Sequence, residues 1–315
     1  MKALFRKLIL KISLPLRQIH PPGFRGMDLY EVLRFFFRGL TDSKFSLMSA
    51  AMSYKFFFST FSTLILIFAV IPQIPIEDLE TKVMQLIQQV VPPNGIEFIS
   101  GLVNGYLKER DTDLVFAVLM ILFAFWGATR GIIAMMQAFT KNDEAFKKRN
   151  IFELYGTAFL IFLILGTLII LAASLLIVGD ATIDYLKAKE VLSDGVGLFL
   201  LDGLRYLMTL LTIFLAISTL YYLAPATYQR WDFFSPGSIA AGVLILFAMF
   251  GLNFFVQKFS ELNTLYGSLT AVIVLMVWFN FISVVLLIGF ELNAAIELAS
   301  FQQGKARQQA PPPPP

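Results

Sequence analysis

The stretch LYGTAFLIFLILGTLIILAASLLIV, from Leu154 to Val178, contains no charged residue. A transmembrane α-helix needs about 20 consecutive apolar residues, whereas a transmembrane β-strand needs only about 9–11 residues of alternating polarity. The stretch is long and does not alternate, so it predicts a membrane-spanning helix. Because backbone amides in lipid need internal partners, we expect the other spans to be helical as well.

The composition of the whole chain supports this prediction. Of the 315 residues, 57% are hydrophobic and 15% are charged, and the mean hydropathy is +0.73. Soluble domains carry about 25% charged residues, so much of this surface must face lipid. The chain has no cysteine and one histidine, His20, which excludes disulfides, thiol catalysis and clusters of cysteine or histidine metal ligands. We expect no cofactor and no metal.

Five further runs pass the same length criterion. The predicted spans are roughly Leu47–Ile71, Leu114–Ala138, Leu154–Val178, Leu204–Tyr222, Pro236–Val256 and Gly267–Glu291. The predicted fold class is therefore an all-α integral membrane protein with a six-helix transmembrane bundle over residues 47–297.

The loops between these spans alternate in charge. Lys and Arg are concentrated before the first span, between the second and third spans, and in the C-terminal tail, whereas the loops after the first and third spans are acidic. Cytoplasmic loops are enriched in Lys and Arg. The pattern predicts a multi-pass protein of the bacterial cytoplasmic (inner) membrane, with both termini in the cytoplasm.

Three segments outside the spans have predicted roles. Residues 1–46 are expected to form cytoplasmic, interfacial amphipathic helices, including one over Met27–Leu40. Apolar residues at helical spacing on both sides of Pro92 and Pro93 predict an outer helical hairpin over 76–107. The glutamine- and proline-rich residues 298–315 predict a disordered polyproline tail.

Small and polar residues form stripes along several spans. Gly127, Gly131 and Ala134 follow the spacing of a helix-packing surface. Serine and threonine stripes on the first and fourth spans fit two readings equally: tight helix packing, or the polar wall of a cavity.

Charged and polar residues within the spans form the candidate site. Lys55, Arg130 and Glu291 interrupt apolar runs, where an ionised group costs at least about 2.5–3.5 kcal/mol unless it is paired or hydrated. Glu291 is expected to pair with Arg130 or Lys55. Asn280 shares a face with Glu291, and Trp126 shares a side with Arg130. A structural salt bridge, a snorkelling Lys55 and a site for a substrate or proton all remain open.

An ordered set of motifs connects the chain to a known family. Its landmarks include Ala50–Tyr54, Trp126 with Arg130, Asn142–Arg149, Tyr221–Leu223, Tyr266–Leu269 and Leu287–Ala294. Over about Phe35 to Glu297 the chain resembles the YihY/virulence factor BrkB family, formerly labelled ribonuclease BN-like. The resemblance implies a bacterial inner-membrane protein of six helices, with transport as the suspected activity.

The sequence argues against the nuclease label. Phosphodiester hydrolysis needs clustered carboxylates, histidines or an acid–base pair, and the acidic residues on the predicted cytoplasmic side are scattered. We therefore expect no enzyme activity and no nucleic-acid partner.

The main hypothesis is a transporter or exporter of a small solute or ion. The alternative is a non-transporting scaffold or envelope-integrity factor. The expected partner is the lipid bilayer, and the sequence leaves open whether the protein forms a homo-oligomer.

Overall fold

The structure is a computed structural model, and it describes residues 17–70, 114–141, 143–188, 196–228, 230–259 and 269–309. These ranges fold into α-helices joined by short turns, with one isolated β-bridge between Phe146 and Thr227. The helices are α1 Leu29–Leu40, α2 Ser43–Val70, α3 Leu114–Ala138, α4 Ile151–Ala188, α5 Val196–Leu223, α6 Pro236–Phe259 and α7 Leu269–Gln309. The predicted hairpin over 76–107 lies outside the described residues.

Among the described helices, four are long and apolar enough to cross a membrane. The qualifying segments are Ile121–Ala138, Ile151–Leu175, Gly203–Leu223 and Val272–Lys305, and Pro236–Gly251 is a shorter apolar helix. Large apolar side chains such as Phe152, Phe247 and Phe250 are exposed along these helices, as expected for surfaces that contact lipid. The molecule is thus an all-α membrane protein, which confirms the predicted fold class at this level.

Helix α7 corrects the prediction of a disordered tail from residue 298. It continues through Glu291 and ends at Gln309, so the disorder predicted for 298–309 is wrong. Residues 302–309 consist mainly of good helix formers (Gln, Lys, Ala and Arg), and the helix ends before the first proline of the tail. At about 1.5 Å per residue, α7 is about twice as long as a bilayer core is thick. Residues 310–315 lie outside the described residues.

Helix α1 packs on the last part of α7 through one side. Met27 and Val32 are buried against Ala295, Ile296 and Ala299 of α7. The predicted amphipathic helix therefore forms, and its Val32 side packs on α7, whereas Phe37 is exposed. At this end of the bundle, α1 and the last part of α7 meet the turns that follow α3 (139–141 and 143–150) and α5 (224–228 and 230–235). We call it the α1 end.

Contacts between helices fix their relative directions. Ser62 and Ser59 of α2 lie against Gly127 and Gly131 of α3, so these two helices are antiparallel. The Phe57 ring of α2 lies 6.5 Å from Phe279, whereas Gly39, just before α2, lies against Glu291. Helix α7 is therefore also antiparallel to α2, and α3 and α7 run in the same direction.

Helices α6 and α7 cross with their backbones in close approach at Gly237 and Gly289. A Cβ atom on Gly289 would lie 2.5 Å from the carbonyl oxygen of Gly237 and 2.9 Å from Cβ of Ala241. Both obstacles belong to, or are fixed to, the backbone, so neither can rotate away.

We expect Gly289→Ala to destabilise the protein by about 1–3 kcal/mol, the usual cost of overpacking. The thermal melt of the purified protein in detergent measures this effect. Gly166→Ala is the matched control, because a Cβ atom there meets nothing within 4 Å. Equal melting temperatures for the two variants would contradict the proposed crossing.

Candidate functional site

The polar groups at the α1 end project mainly from one segment of α7. Glu291, Asn293 and Glu297 are all buried, and each is engaged by a different neighbouring element. Charged residues are almost never buried unless they are paired. The three pairings therefore define how the α1 end is closed.

Glu291 pairs with the turn that follows α3. Its Oε2 atom lies 2.5 Å from Nζ of Lys141, in a site where both side chains are largely buried. Gly39 lies directly over this carboxylate, since a Cβ atom on Gly39 would collide with Oε2. The absence of a side chain at Gly39 thus lets α1 pass close to the ion pair.

Glu297 binds two partners from different parts of the chain. Its Oε2 atom accepts hydrogen bonds from Nη1 of Arg25 at 2.8 Å and from Nε1 of Trp231 at 3.2 Å. Arg25 also donates through Nη2 to the carbonyl oxygen of Arg230 at 3.3 Å. One carboxylate therefore joins the segment before α1 to the turn before α6.

Asn293 fixes the start of α6. Its Oδ1 atom accepts a hydrogen bond from the backbone N–H of Gly237 at 2.8 Å, and its Nδ2 atom donates to Oγ of Ser235 at 2.7 Å. Ser235 in turn accepts a bond from the N–H of Ser238, in the manner of an N-cap residue. This contact satisfies N–H groups that every helix start leaves unpaired.

An aromatic cluster fills the centre of the α1 end. The rings of Phe139 and Phe290 stack at 4.7 Å, and Phe139 also contacts Tyr221 at 5.5 Å. Trp231 lies 5.8 Å from Phe290, and the Tyr221 hydroxyl donates to the carbonyl oxygen of Leu286 at 2.5 Å. The polar contacts thus surround a packed apolar centre.

Arg149 holds the end of α5. Its guanidinium donates to the carbonyl oxygens of Ala224 at 2.7 Å, Leu223 at 2.8 Å and Pro225 at 3.2 Å. Carbonyl groups at a helix C-terminus lack intrahelical partners, and a cation there is also favoured by the helix dipole. Burial lowers the pKa of Arg149, although nearby Glu153 acts in the opposite direction.

An open cleft of about 520 Å³ lies beside Glu297. Arg25, Tyr228, Glu297 and Lys305 contribute its polar lining. Lys305 pairs with Glu144 at the surface and thereby lowers the pKa of that carboxyl group. Three of the lining residues, Arg25, Glu297 and Lys305, are thus already engaged in ion pairs.

Arg130 and Lys55, the predicted partners of Glu291, lie too far along the bundle to reach it. Phe139, just after α3, stacks on Phe290 and so lies at about the same depth in the bundle as Glu291. Arg130 precedes Phe139 by about 14 Å along the helix axis. Lys55 is near the level of Phe279, about 15 Å from Glu291 by the same measure. The expected pairing is therefore wrong, and Lys141 takes this place.

The structure places the other predicted residues apart from Glu291. The guanidinium of Arg130 lies 4.2 Å from the ring centroid of Trp126, and Nζ of Lys55 lies 5.6 Å from that of Tyr54. Asn280 is exposed on α7. Gly127 and Gly131 lie against the serines of α2, where Ser59 Oγ donates to the carbonyl oxygen of Ala128 at 2.6 Å. Ala134 follows on α3 as a partly buried residue.

Several residues of the α1 end were absent from the predicted site. They are Arg25, Lys141, Trp231, Ser235 and Glu297. Three sequence landmarks hold residues of this end: Leu287–Ala294 contains Glu291 and Asn293, Asn142–Arg149 contains Arg149, and Tyr221–Leu223 contains Tyr221. The partners of Glu291 and Asn293 come from distant turns, and nothing in the local sequence connects them.

The fold and the α1 end define a helical membrane protein whose last long helix organises one end of the bundle. The sequence model of the virulence factor BrkB family matches residues 36–313. The chain therefore belongs to the virulence factor BrkB family, as its sequence motifs indicated.

Individual relatives are distant. YfkH of Bacillus subtilis (strain 168), named as a ribonuclease-like protein, is 27% identical over 251 residues, which are 79% of this chain and 88% of YfkH. A UPF0761 membrane protein of Tolumonas auensis is 23% identical over 83% of this chain and 84% of its own length. One from Stenotrophomonas maltophilia is 21% identical, and the chain spans 62% of its length. No solved structure matches the chain.

Proposed function

We propose that this protein is a transporter or exporter that moves a small solute across the bacterial inner membrane. In this proposal α2 to α7 are the six spans, and the α1 end faces the cytoplasm together with both termini. The solute follows a polar path between α2, α3, α5 and α7. The basic turn after α3 supports this orientation, since Lys141, Lys147 and Arg149 lie at the α1 end.

One observation carries the proposal: polar atoms lie unpartnered inside the bundle. Among the described residues, Arg130 Nε, Ser218 Oγ and Ser283 Oγ are buried without a hydrogen-bond partner. An unsatisfied buried group costs about 1–3 kcal/mol, and a bundle built only for stability has no use for it. Water or a polar solute passing between the helices would satisfy these groups.

Ser218 and Ser283 lie at matching depths. Tyr221 of α5 bonds Leu286 of α7, and each serine precedes one of these residues by three positions. Residues three apart share a helix face, so both hydroxyls lie on the facing sides of α5 and α7. In this proposal the polar path therefore begins next to the aromatic cluster, directly behind the closed α1 end.

The cysteine-free chain allows a direct test. We expect Ser218→Cys and Ser283→Cys to react with a membrane-impermeant thiol reagent added from the side opposite the α1 end, and not from the α1 side. Ala241→Cys, at a fully buried apolar position, is the packing control. Gln302→Cys, exposed on α7 at the α1 end, is the accessible control for reagent added from the α1 side.

Either pattern of labelling has a clear meaning. Reaction at both serine positions with a silent Ala241→Cys supports a hydrated path. If only Gln302→Cys reacts, the bundle is dry and the transport proposal fails. That result would favour the second candidate, a scaffold that uses the long extension of α7 and its adjacent cleft to bind partners.

We also propose that the protein does not act as a nuclease. Glu144, Glu153, Glu291 and Glu297 each face a basic side chain within 4.0 Å, which makes them poor candidates for metal ligands or general bases. Purified protein incubated with RNA and Mg²⁺ should leave the RNA intact. Cleavage that co-purifies with the protein and disappears in Glu291→Gln would contradict this proposal.

A further inference from the structure

Two cations share one side of the α2–α3 pair. On α2, Ser62, Ser59 and Lys55 follow one another at helical spacing, and the two serines lie against Gly127 and Gly131 of α3. The antiparallel register continues to Ala134 opposite Lys55. Ala134 and Arg130 are four residues apart and therefore share a face of α3. Lys55 thus lies about one turn from Arg130, on the same side of the helix pair.

Neither cation is neutralised by the described part of the chain. No hydrogen bond or ion pair joins Arg130 or Lys55 to another described residue, and Nε of Arg130 is buried without a partner. The acidic residues of the described chain that are buried, Glu291 and Glu297, are engaged at the α1 end. Two unpaired cations within a membrane segment are costly unless an anion or water joins them.

Aromatic rings position both groups without supplying a counter-charge. The guanidinium of Arg130 lies over Trp126, which is 47% exposed, and Lys55 lies over Tyr54, which is 49% exposed. Such cation–π contacts hold the cation while leaving its remaining donors available. The partial exposure of both rings leaves room for a ligand beside the two cations.

We propose that Arg130 and Lys55 form a binding site for a phosphate group. A guanidinium presents a planar fork of donors that matches phosphate oxygens, and an ammonium group provides a second, compact charge. A phosphate carries several oxygens and up to two negative charges, so one group can bind both cations. The same chemistry is available from a soluble phosphate compound and from a lipid headgroup. This inference rests on the proposed function, because it names the substrate class for the polar path.

Trp126 provides the readout. The purified full-length protein, in nanodiscs made only of phosphatidylcholine, is titrated with inorganic phosphate while tryptophan fluorescence is recorded. In parallel, the protein is placed in nanodiscs that also contain phosphatidylglycerol or phosphatidic acid. We expect a saturable change that is lost in Trp126→Phe, because this ring contacts the guanidinium.

Substitutions identify the site. Arg130→Gln should weaken binding about tenfold or more, and Lys55→Gln should weaken it by a smaller factor. Arg130→Lys keeps the charge and loses the fork of donors, so its affinity for phosphate should be intermediate. This variant also controls for misfolding of Arg130→Gln. Arg34→Gln, at an exposed cation of α1, is the matched control and should bind as the wild type does.

The phosphate titration and the anionic nanodiscs distinguish the two possible sources of the phosphate group. Saturation by inorganic phosphate that depends on Arg130 supports a soluble phosphate compound. A response only to anionic nanodiscs, again dependent on Arg130, supports a lipid headgroup. No response in either arm, or an equal response in Arg130→Gln, overturns the site. Binding is measured without flux, so a confirmed site together with unreactive Ser218→Cys and Ser283→Cys would reject transport and retain the phosphate site.

Discussion

Glu291→Gln is expected to lower the melting temperature of the purified protein strongly, by an amount equivalent to about 3 kcal/mol. The substitution leaves the ammonium group of Lys141 in a largely buried site without its counter-charge. Breaking one partner of a buried pair costs more than the pair itself contributes, because the remaining charge stays desolvated. The position of Gly39 over the carboxylate limits how far water can enter to compensate.

A double-mutant cycle separates the ion pair from other effects of the substitution. Lys141→Met should be destabilising by itself, and the double variant Glu291→Gln with Lys141→Met should be more stable than the sum of the single effects predicts. Lys147 and Glu153, 3.9 Å apart and both about half exposed, form the comparison pair, for which the coupling should be close to zero. Equal coupling energies for the two pairs would show that Glu291 is not held in a buried ion pair.

The same variant tests whether the α1 end acts as a gate. If the Lys141–Glu291 pair keeps the path closed on this side, Glu291→Gln should increase the labelling of Ser283→Cys from the α1 side. The double variant should not return the labelling to the wild-type level, because it restores charge balance without restoring the contact. Unchanged labelling in both variants would mean that the aromatic cluster alone closes the path.

The positions of the long helices could be predicted from the sequence because hydropathy is a local property. Each of the six predicted runs falls on a helix, with bounds that differ mainly where a charge appears. The sixth run was ended at Glu291, yet α7 continues because that charge is paired with Lys141. Hydropathy registers the cost of a charge but not the partner that offsets it.

The pairing of charges could not be predicted for a different reason. Arg130, Lys55 and Glu291 all interrupt apolar runs, and sequence alone gives their depth only relative to an assumed membrane boundary. The stacking of Phe139 on Phe290 sets the register of α3 against α7, and this places Arg130 about 14 Å from Glu291. Register between helices is a tertiary property that depends on such contacts.

The α1 end shows the same limit in its long-range contacts. Arg25 and Glu297 are 272 residues apart in the chain, and Trp231 belongs to a turn with no feature that marks it as part of a site. The packing surface of α3 could be predicted better, since Gly127 and Gly131 are adjacent in helical spacing and any close neighbour must use them.

Glu297→Gln is expected to release the N-terminal strap, residues 17–28, from the bundle. The carboxylate of Glu297 is the ionic anchor of Arg25, and the strap is bent so that Gly23, Arg25 and Gly26 all have positive φ, with Arg25 at +50°. A non-glycine residue with a positive φ has a strained backbone, and this conformation persists only where the surrounding contacts hold it. Loss of the buried charge should therefore cost about 3 kcal/mol and expose the strap.

Limited trypsin digestion of the purified protein measures this release, because Arg25 is itself a cleavage site and mass spectrometry identifies the fragment that begins at Gly26. Cleavage after Arg25 should be much faster in Glu297→Gln than in the wild type. Glu144→Gln, which removes an exposed carboxylate paired with Lys305 at the same end, should leave the rate unchanged. Since Trp231 also bonds Glu297, Trp231→Phe should accelerate cleavage only slightly, because the ion pair with Arg25 remains. If Trp231→Phe and Glu297→Gln accelerated cleavage equally, packing of the turn before α6, and not the charge on Glu297, would be what holds the strap.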